Sequence, residues 1–372
     1  MRILRIAQKL YPDVVGGGPY HVHALSRDQA AMGHDITVAT VMSDQSLPAT
    51  EERDGYTIRR FPAIASPLGN AISPALIDFV RNSDEYGVVH AHSHLYASTV
   101  AAAINRLVGE TPLAITNHGL YSQSAPRAVF ELYLRTIGRM TFQASDTVFC
   151  YTTIDRDRLR ARGITSSIEV IANGIDTTRF TPTGPTADNI DKTMPTILFV
   201  GRLVKGKRLD RVIDALPAIQ SAVPDTRLVV CGDGPLRPEL EDLAIDLDVA
   251  GTLDFLGTVP YDEMPTVYRS ADVLVLPSES EGLPRTVLEA LATETPVITS
   301  DLPQLREIVE DTGKTVPIDE DVGLADAVIE LLTDDHMREY CGMRGRERVE
   351  EQFDWEETVR KTTAALERLA IR

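Results

Sequence analysis

The stretch Ala271-Asp-Val-Leu-Val-Leu-Pro-Ser-Glu-Ser-Glu281-Gly-Leu-Pro-Arg-Thr-Val-Leu-Glu289-Ala-Leu decides the fold of this chain. Its first part, Val273–Leu276, is a short apolar run that predicts a buried strand. Pro284 suits the first turn of a helix, because the N–H that proline lacks is unpaired there in any helix. An apolar face with helical spacing follows, formed by Val287, Leu288 and Leu291. The stretch therefore predicts a strand, a tight turn and a helix.

The turn carries groups that suit a ligand with both phosphate and sugar. The N–H groups of Gly282, Leu283 and Arg285 are expected to point out of the carboxyl end of the strand, which forms an anion site. Glu281 lies in the turn and Glu289 in the helix, and both carboxylates can accept hydrogen bonds from hydroxyls. The alternative is structural, because carboxylates near a helix start stabilise the helix dipole by roughly 0.3–1 kcal/mol.

Length and composition indicate a globular protein of two domains. A chain of 372 residues is too long for one ordinary core, and its hydrophobic content of 43% can supply two. No apolar run approaches the roughly 18 residues of a membrane span, and the first residues contain no long apolar signal region. Cys150, Cys231 and Cys341 lie far apart and have no metal-ligand spacing. These features predict a cytoplasmic protein in a reducing compartment.

Charge is distributed unevenly along the chain. Residues 1–183 carry 17 basic and 17 acidic residues, so the net charge of −18 belongs to residues 184–372. This asymmetry predicts two domains with different roles, and it argues against nucleic acid as the main partner because a phosphate backbone needs a basic footprint. Only six of the 37 basic residues are lysines. An acidic, lysine-poor composition suits a protein kept soluble in high salt, which gives the hypothesis of a halophilic source.

Strand-like and helix-like segments alternate through both halves. The alternation predicts an α/β fold with parallel sheets and helices on both faces, in which ligands bind beyond the carboxyl ends of the strands. The loop-rich segment from Asn173 to Asp188 is interpreted as the linker between domains. The predicted division is 1–183 for the first domain, 184–352 for the second, and 353–372 for a C-terminal helix that packs across to the first domain.

Three turns rich in glycine or basic residues are further candidates. Gly16-Gly-Gly18 is neither a dinucleotide fingerprint nor a P-loop, but its glycines would let the backbone approach a phosphate; a flexible turn is the alternative. Gly201–Arg208 presents Arg202 and Lys207, which offer a bidentate fork and a mobile charge to phosphate, unless the loop is merely solvated. Gly232-Asp-Gly-Pro235 could line a nucleotide pocket, although turn chemistry alone explains these residues.

The histidines give one candidate for chemistry. His118 follows a predicted strand and could relay a proton or donate to a sugar hydroxyl, with a structural role as the alternative. His90 and His92 share one face of a strand, and His94 follows them, but no carboxylate or cysteine completes a ligand set nearby. No metal site is therefore predicted. Two more histidines are interpreted as packed or surface residues: His21 and His23.

The whole chain resembles the retaining glycosyltransferases of family 4, which have the GT-B architecture. The most specific likeness is the E-x7-E signature from Glu281 to Glu289. Supporting motifs follow in order along the chain: Val89-His-Ala-His92, Thr116-Asn-His-Gly119, Ile171-Ala-Asn-Gly-Ile-Asp176, Val200-Gly-Arg-Leu203 with Lys207, and Gly232-Asp-Gly-Pro-Leu-Arg237. The resemblance implies two Rossmann-like parallel-sheet domains that face a central cleft, with a nucleotide-sugar donor bound to the second domain.

The resemblance also implies roles for residues of the second domain. Arg202 and Lys207 would hold the donor diphosphate, and Glu289 would bind the ribose hydroxyls. Glu281 would contact the donor sugar beside the donor-binding segment Gly282–Pro284. The family needs no divalent metal or other cofactor, because cationic side chains replace the metal.

Residues of the first domain and the reaction are implied in the same way. Gly17, Gly18 and His118 would meet the sugar and phosphates, while Gly232 would line the donor pocket. A hexose would move to an acceptor hydroxyl with retention at the anomeric carbon. The acceptor could be a glycolipid or other lipid-linked saccharide, a polysaccharide or a small polyol.

Some positions depart from the family pattern. The chain has Gly206-Lys207-Arg208 where Glu-Lys-Gly is usual, and Glu294 where glycine is usual. Leu302–Leu305 replaces a glycine-rich segment. These departures leave the shape of the basic loop and the donor-sugar contacts open, but not the class.

Two other functions and one membrane alternative stay open. A nucleotide-sugar epimerase uses a similar architecture, and so would a non-catalytic protein that binds a sugar nucleotide. The helix predicted over Pro126–Ala144, with Arg127, Arg135 and Arg139, is expected to pack on the sheet. Its alternative is peripheral contact of the first domain with the inner face of a membrane.

Overall fold

The computed structural model describes residues 1–121, 127–318 and 322–371 of the chain. The chain forms two units, one made of Met1–Asn173 together with the tail from Glu356, and the other of Gly174–Trp355. Each unit is built on its own mainly parallel sheet covered by helices, which confirms the predicted fold class of two Rossmann-like domains.

The first unit contains an 8-stranded sheet. Its strands are β1 (Arg2–Ile6), β2 (Asp35–Val41), β3 (Thr50–Arg53), β4 (Tyr56–Phe61), β5 (Val88–His92), β6 (Leu113–Asn117), β7 (Thr147–Cys150) and β8 (Ser167–Val170). The strand order is β3-β4-β2-β1-β5-β6-β7-β8, and β3 pairs antiparallel with β4. Its helices are α1 (Gly17–Ala31), α2 (Pro74–Arg81), α3 (Ala97–Val108), α4 (Arg127–Arg135), α5 (Ile137–Gln143) and α6 (Thr153–Ala161).

The second unit contains a 6-stranded sheet, all of whose pairs are parallel. Its strands are β9 (Thr196–Val200), β10 (Arg227–Cys231), β11 (Leu253–Gly257), β12 (Val273–Leu276), β13 (Val297–Ser300) and β14 (Gly313–Val316), in the order β11-β10-β9-β12-β13-β14. Its helices are α7 (Leu209–Ala222), α8 (Arg237–Asp246), α9 (Met264–Arg269), α10 (Arg285–Ala292), α11 (Pro303–Val309), α12 (Val322–Thr333) and α13 (Asp335–Gln352). The tail helix α14 spans Trp355–Ala370.

Residues 271–291 form the strand β12 and the helix α10, as predicted. All four residues of β12 are buried, as expected for a central parallel strand with helices on both faces. Pro284 has the extended ψ of 122° and stands just before the helix rather than in its first turn. Seven residues of α10 are buried, among them Arg285 and Glu289, so its charged side chains need partners inside the protein.

Helix α1 begins inside the triple glycine, at Gly17. Gly16 has a φ of 150°, a conformation that side chains rarely allow, and Gly17 and Gly18 then form the first turn of the helix. The triple glycine is therefore a helix start, not a loop before one.

The helix predicted over 126–144 is broken in two. Its start at Pro126 lies outside the described residues. Thr136 separates α4 from α5 with a φ of −117° and a ψ of −96°. Phe130 and Leu134 are buried, as the packing interpretation required, while Leu132 on the other side of α4 is exposed.

The segment interpreted as a linker packs on the second unit. The N–H of Ile175 donates to the carbonyl of Phe353 at 2.7 Å, and Arg346 donates to the carbonyls of Thr177 and Phe180. The change of unit therefore comes at Asn173/Gly174, earlier than the predicted boundary at 183/184. After the second unit, the chain continues into α14, whose Leu366 and Leu369 belong to the hydrophobic core of the first unit.

Candidate functional site

In the second unit, two of the predicted loops meet because their strands are neighbours. β9 pairs with β12, so the loops after these strands share one edge of the sheet. The N–H of Glu279 donates to the carbonyl of Gly206 at 2.9 Å. At the same place the ammonium of Lys207 forms an ion pair with the carboxylate of Glu281. Lys207, predicted to bind phosphate, is therefore in contact with Glu281, predicted to bind the sugar. Arg202 is exposed at the point where the loop that carries Lys207 leaves β9.

Gly232 holds a third loop against the first two. Its φ is 138°, and its N–H donates to the carbonyl of Gly257 at 2.7 Å. A Cβ atom at this position would lie 1.9 Å from the carbonyl oxygen of Gly201. Only glycine allows this approach of two backbones, which brings the turn after β10 beside the residue that precedes Arg202.

Replacing Gly232 with alanine should therefore destabilise the second unit. The added methyl group meets a backbone atom in a strained conformation, so we expect a loss of at least about 2 kcal/mol in unfolding free energy. Urea unfolding measures it. Gly206→Ala is the matched control, because a Cβ at Gly206 meets nothing within 4 Å. Equal stability of the two variants would contradict the assigned role of Gly232.

The turn after β12 is fixed from α11. Glu281 is only 5% exposed, and its carbonyl oxygen accepts a hydrogen bond from the side chain of Gln304 at 2.5 Å. The sequence marked Leu302–Leu305 only as a departure from the family pattern. The structure shows that Gln304 in this segment positions the turn that carries Glu281, Gly282 and Leu283.

Glu289 is held by a different set of partners. One carboxylate oxygen accepts from the hydroxyl of Tyr261 and the other from that of Tyr268, each at 2.9 Å. The guanidinium Nε of Arg285 lies 3.3 Å from the carboxylate, one helical turn away. Burial and the Glu289 charge raise the pKa of Tyr268 well above its usual value, so this tyrosine stays a donor. The sequence did not indicate the two tyrosines, because Tyr261 lies just before α9 and Tyr268 within it, in a segment that contains no recognisable motif.

In the first unit, His118 lies in a group of aromatic side chains. The hydroxyl of Tyr151 is 2.8 Å from His118 Nδ1, and Nδ1 of His92 is 3.2 Å from His118 Nε2. Both ring nitrogens thus have partners that fix the plane of the imidazole. An ideal Cβ on Gly18 would lie 4.0 Å from His118 Nδ1, so the first turn of α1 lies beside His118.

His21, interpreted from the sequence as a packed or surface residue, is buried and belongs to the same group. Its Nδ1 lies 2.8 Å from the side-chain oxygen of Asn173, and its ring centroid is 5.8 Å from that of His118. The signal in the sequence was its position one turn after Gly17 and Gly18. In residues 1–121, 127–318 and 322–371, no three histidine, cysteine or acidic side chains are grouped as metal ligands.

Burial keeps four histidines of the first unit neutral: His90, His92, His94 and His118. Desolvation lowers the pKa of His118 to about 4 and that of His94 to about 3. The pKa values of His90 and His92 are lowered well below the usual range, mainly by burial and further by Arg5 and the neighbouring histidines. At neutral pH these four histidines can therefore donate or accept hydrogen bonds but carry no positive charge.

The stability of the first unit should fall on acidification for this reason. A histidine with a folded pKa near 4 and an unfolded pKa near 6.5 binds its proton first in the unfolded state, so stability is lost as pH falls through this window. Between these two pKa values, each such residue changes the free energy of unfolding by up to about 1.4 kcal/mol per pH unit. Urea unfolding at several pH values should show a shallower slope for His118→Asn than for the wild-type protein. The exposed His336, substituted likewise, is the control, and identical slopes for both variants would contradict the assignment.

Comparison with known families matches both units. Residues 184–348 match the family described as Glycosyl transferases group 1, and residues 15–179 match Glycosyltransferase Family 4. Glycogen synthase of Mycobacterium tuberculosis is 30% identical to this chain, over 98% of this chain and 94% of that protein.

Two further relatives extend this result. The GDP-mannose-dependent alpha-(1-6)-phosphatidylinositol monomannoside mannosyltransferase of Mycobacterium tuberculosis is 33% identical over 81% of each chain. Among solved structures, sucrose-phosphate synthase from Thermosynechococcus elongatus superposes with a TM-score of 0.85 at 24% identity, covering 99% of this chain and 98% of that one. The latter likeness concerns the fold, and it agrees with the GT-B architecture.

Proposed function

Because this chain belongs to glycosyltransferase family 4 and is a glycosyltransferase, we propose that it moves a hexose from a nucleoside-diphosphate sugar to an acceptor hydroxyl with retention at the anomeric carbon, and that it does so without a metal. One observation carries the proposal. Lys207 and Glu281 meet in one cluster, at the sheet edge where the loops carrying Arg202 and Gly232 also come together.

The diphosphate site is built from Arg202, Lys207 and backbone. Arg202 offers a planar fork and Lys207 a compact charge, the two ways in which side chains bind phosphate oxygens. Without a donor, Lys207 is neutralised by Glu281. An incoming diphosphate competes for the ammonium, which leaves the Glu281 carboxylate available to accept from sugar hydroxyls.

The ribose is assigned to Glu289. Its carboxylate is oriented by Tyr261, Tyr268 and Arg285, and a carboxylate has about four acceptor sites in all. Remaining acceptor capacity suits the two ribose hydroxyls. The first unit contributes hydrogen-bond donors from the neutral His118 and from the first turn of α1 at Gly17 and Gly18.

In the proposed mechanism the reaction is accelerated by electrostatic stabilisation of the leaving group. The bond from the anomeric carbon to the phosphate oxygen breaks while a bond to the acceptor oxygen forms, and the acceptor proton moves to the leaving diphosphate. Negative charge grows on that diphosphate, and fixed positive groups stabilise it without rearranging. Arg202, Lys207 and helix amino termini do this in the proposed mechanism, so a divalent cation is not required.

Incubation with a panel of sugar nucleotides tests the proposal. Free nucleoside diphosphate that appears only when an acceptor is added indicates transfer. An altered sugar nucleotide without acceptor would indicate an epimerase, and binding without turnover a silent binding protein. Activity unchanged by a chelator such as EDTA supports metal independence, and its loss, restored by a divalent cation, would contradict it.

A membrane-associated acceptor is the second part of the proposal. The mannosyltransferase relative is named for a phosphatidylinositol monomannoside acceptor, a lipid. In this chain Val129, Leu132 and Ile137 are about half or more exposed on α4 and α5. Residues 127–166 carry seven arginines and four acidic residues in a protein of net charge −18. No helix in the described part is long and apolar enough to cross a bilayer, so contact would be peripheral, at the inner face.

Vesicle flotation checks this contact. We expect binding to vesicles with phosphatidylglycerol to exceed binding to phosphatidylcholine alone, because basic patches attract anionic lipid. The double variant Leu132→Ser with Ile137→Ser should lose most of the bound fraction. Ile245→Ser is the control, because Ile245 on α8 is 65% exposed and Leu132 64%. Equal binding by both variants would refute a contact through α4 and α5.

A further inference from the structure

Arg285 links the proposed ribose site to the place where the chain enters and leaves the second unit. Its Nε faces Glu289 at 3.3 Å, while Nη2 donates to the Tyr261 hydroxyl at 2.8 Å and Nη1 donates to the carbonyl of Gly174 at 3.0 Å. Its guanidinium carbon lies 5.8 Å from the centre of the Trp355 ring. The side chain is almost completely buried, so these groups surround it in place of water.

Gly174 and Trp355 are the first and last residues of the second unit. The segments Gly174–Asp176 and Phe353–Trp355, here called the crossing segments, are paired with each other. The N–H of Ile175 donates to the Phe353 carbonyl at 2.7 Å, and the N–H of Trp355 donates to the Ile175 carbonyl at 3.2 Å. Arg285 therefore contacts both crossing segments and Glu289 at the same time.

The guanidinium is rigid and planar, so it cannot change one contact without moving the others. The Glu289 oxygen that faces Arg285 also accepts from Tyr261. A ribose hydroxyl that donates to this carboxylate competes with those donors for its lone pairs. The contact at 3.3 Å is longer than the hydrogen bonds around it, and it is the one most easily given up.

We propose that Arg285 couples donor binding at Glu289 to the crossing segments. A ribose bound to Glu289 draws the carboxylate away from Nε, and the guanidinium shifts its hydrogen bonding towards the Gly174 carbonyl and the Trp355 ring. The paired crossing segments then open less often. Arg285 is a positioning residue in this scheme, and the inference rests on the proposed function, in which Glu289 binds ribose.

Hydrogen exchange of the full chain, with and without saturating ADP, GDP or UDP, tests the coupling. In the wild-type protein the nucleotide that binds should slow exchange of the Ile175 and Trp355 amides several-fold. Arg285→Lys keeps the charge but loses the fork, so it should still bind that nucleotide and show no slowing. Tyr261→Phe, which removes the bridge between the guanidinium and Glu289, should reduce the slowing and serves if the first variant does not fold.

Arg346→Lys is the matched control. Arg346 also donates hydrogen bonds to carbonyls next to a crossing segment, those of Thr177 and Phe180. Its third acceptor is the carbonyl of Ala292 and not the carboxylate of Glu289. Its substitution should speed exchange in general while leaving the nucleotide-dependent slowing intact. Equal slowing in Arg285→Lys and the wild-type protein would overturn the coupling alone. No binding of any of the three diphosphates by the wild-type protein, measured calorimetrically, would overturn the ribose site as well.

Discussion

Replacing Arg202 or Lys207 with alanine is expected to lower kcat about 30- to 1,000-fold, which corresponds to about 2–4 kcal/mol of barrier for each. The physical reason is that each group would stabilise negative charge that develops on the departing diphosphate, and such preorganised donors act mainly in the transition state. Release of nucleoside diphosphate under saturating donor and acceptor measures the effect. Near-normal turnover in both variants would remove the diphosphate assignment.

The ion pair between Lys207 and Glu281 requires a control for folding. Loss of the ammonium leaves a nearly buried carboxylate without its partner, which destabilises a protein. Lys207→Ala should therefore be compared with the double variant Lys207→Ala with Glu281→Gln, which restores neutrality but not turnover. Lys205→Ala changes an exposed lysine in the same loop and should keep wild-type kcat. A similar loss in Lys205→Ala would show that general charge in the loop, not Lys207, matters.

The sequence predicted the parts of this fold that depend on local pattern. The apolar run of β12 and the helical spacing of α10 are set by a few adjacent residues, and the structure places both as expected. Strand β3 escaped prediction because its sequence, Thr-Glu-Glu-Arg, is polar and forms an exposed edge. The break at Thr136 was hidden because apolar residues continue on both sides of it.

The candidate site divides in the same way. Lys207 and Glu281 could be selected individually from motifs, but their contact depends on β9 and β12 being neighbours, which is a property of strand order across 74 residues. Tyr261 and Tyr268 around Glu289, and Tyr151 and His92 around His118, are set by tertiary packing. No spacing in the sequence indicates them. The linker interpretation differed from the structure because turn-forming residues do not reveal that Arg346 and Phe353 bind the segment after Asn173.

Glu289→Gln is expected to weaken binding of the nucleoside diphosphate by roughly 10- to 100-fold, since hydrogen bonds to a charged group contribute about 1.5–3 kcal/mol. Titration calorimetry measures it. Stability should fall too, because Tyr268 and Arg285 lose a charged partner in a buried site. Thermal unfolding without ligand separates this effect from the loss of affinity.

A ligand that lacks the ribose hydroxyls decides whether Glu289 contacts them. The wild-type protein should bind a 2′,3′-dideoxynucleoside diphosphate as weakly as Glu289→Gln binds the ordinary nucleotide. The variant should then discriminate little between the two ligands, because the interaction that distinguishes them is already gone. This forms a double-mutant cycle with one change on the protein and one on the ligand. Additive losses of affinity would mean that Glu289 acts only through the fold, held by its tyrosines and Arg285, and that the ribose lies elsewhere.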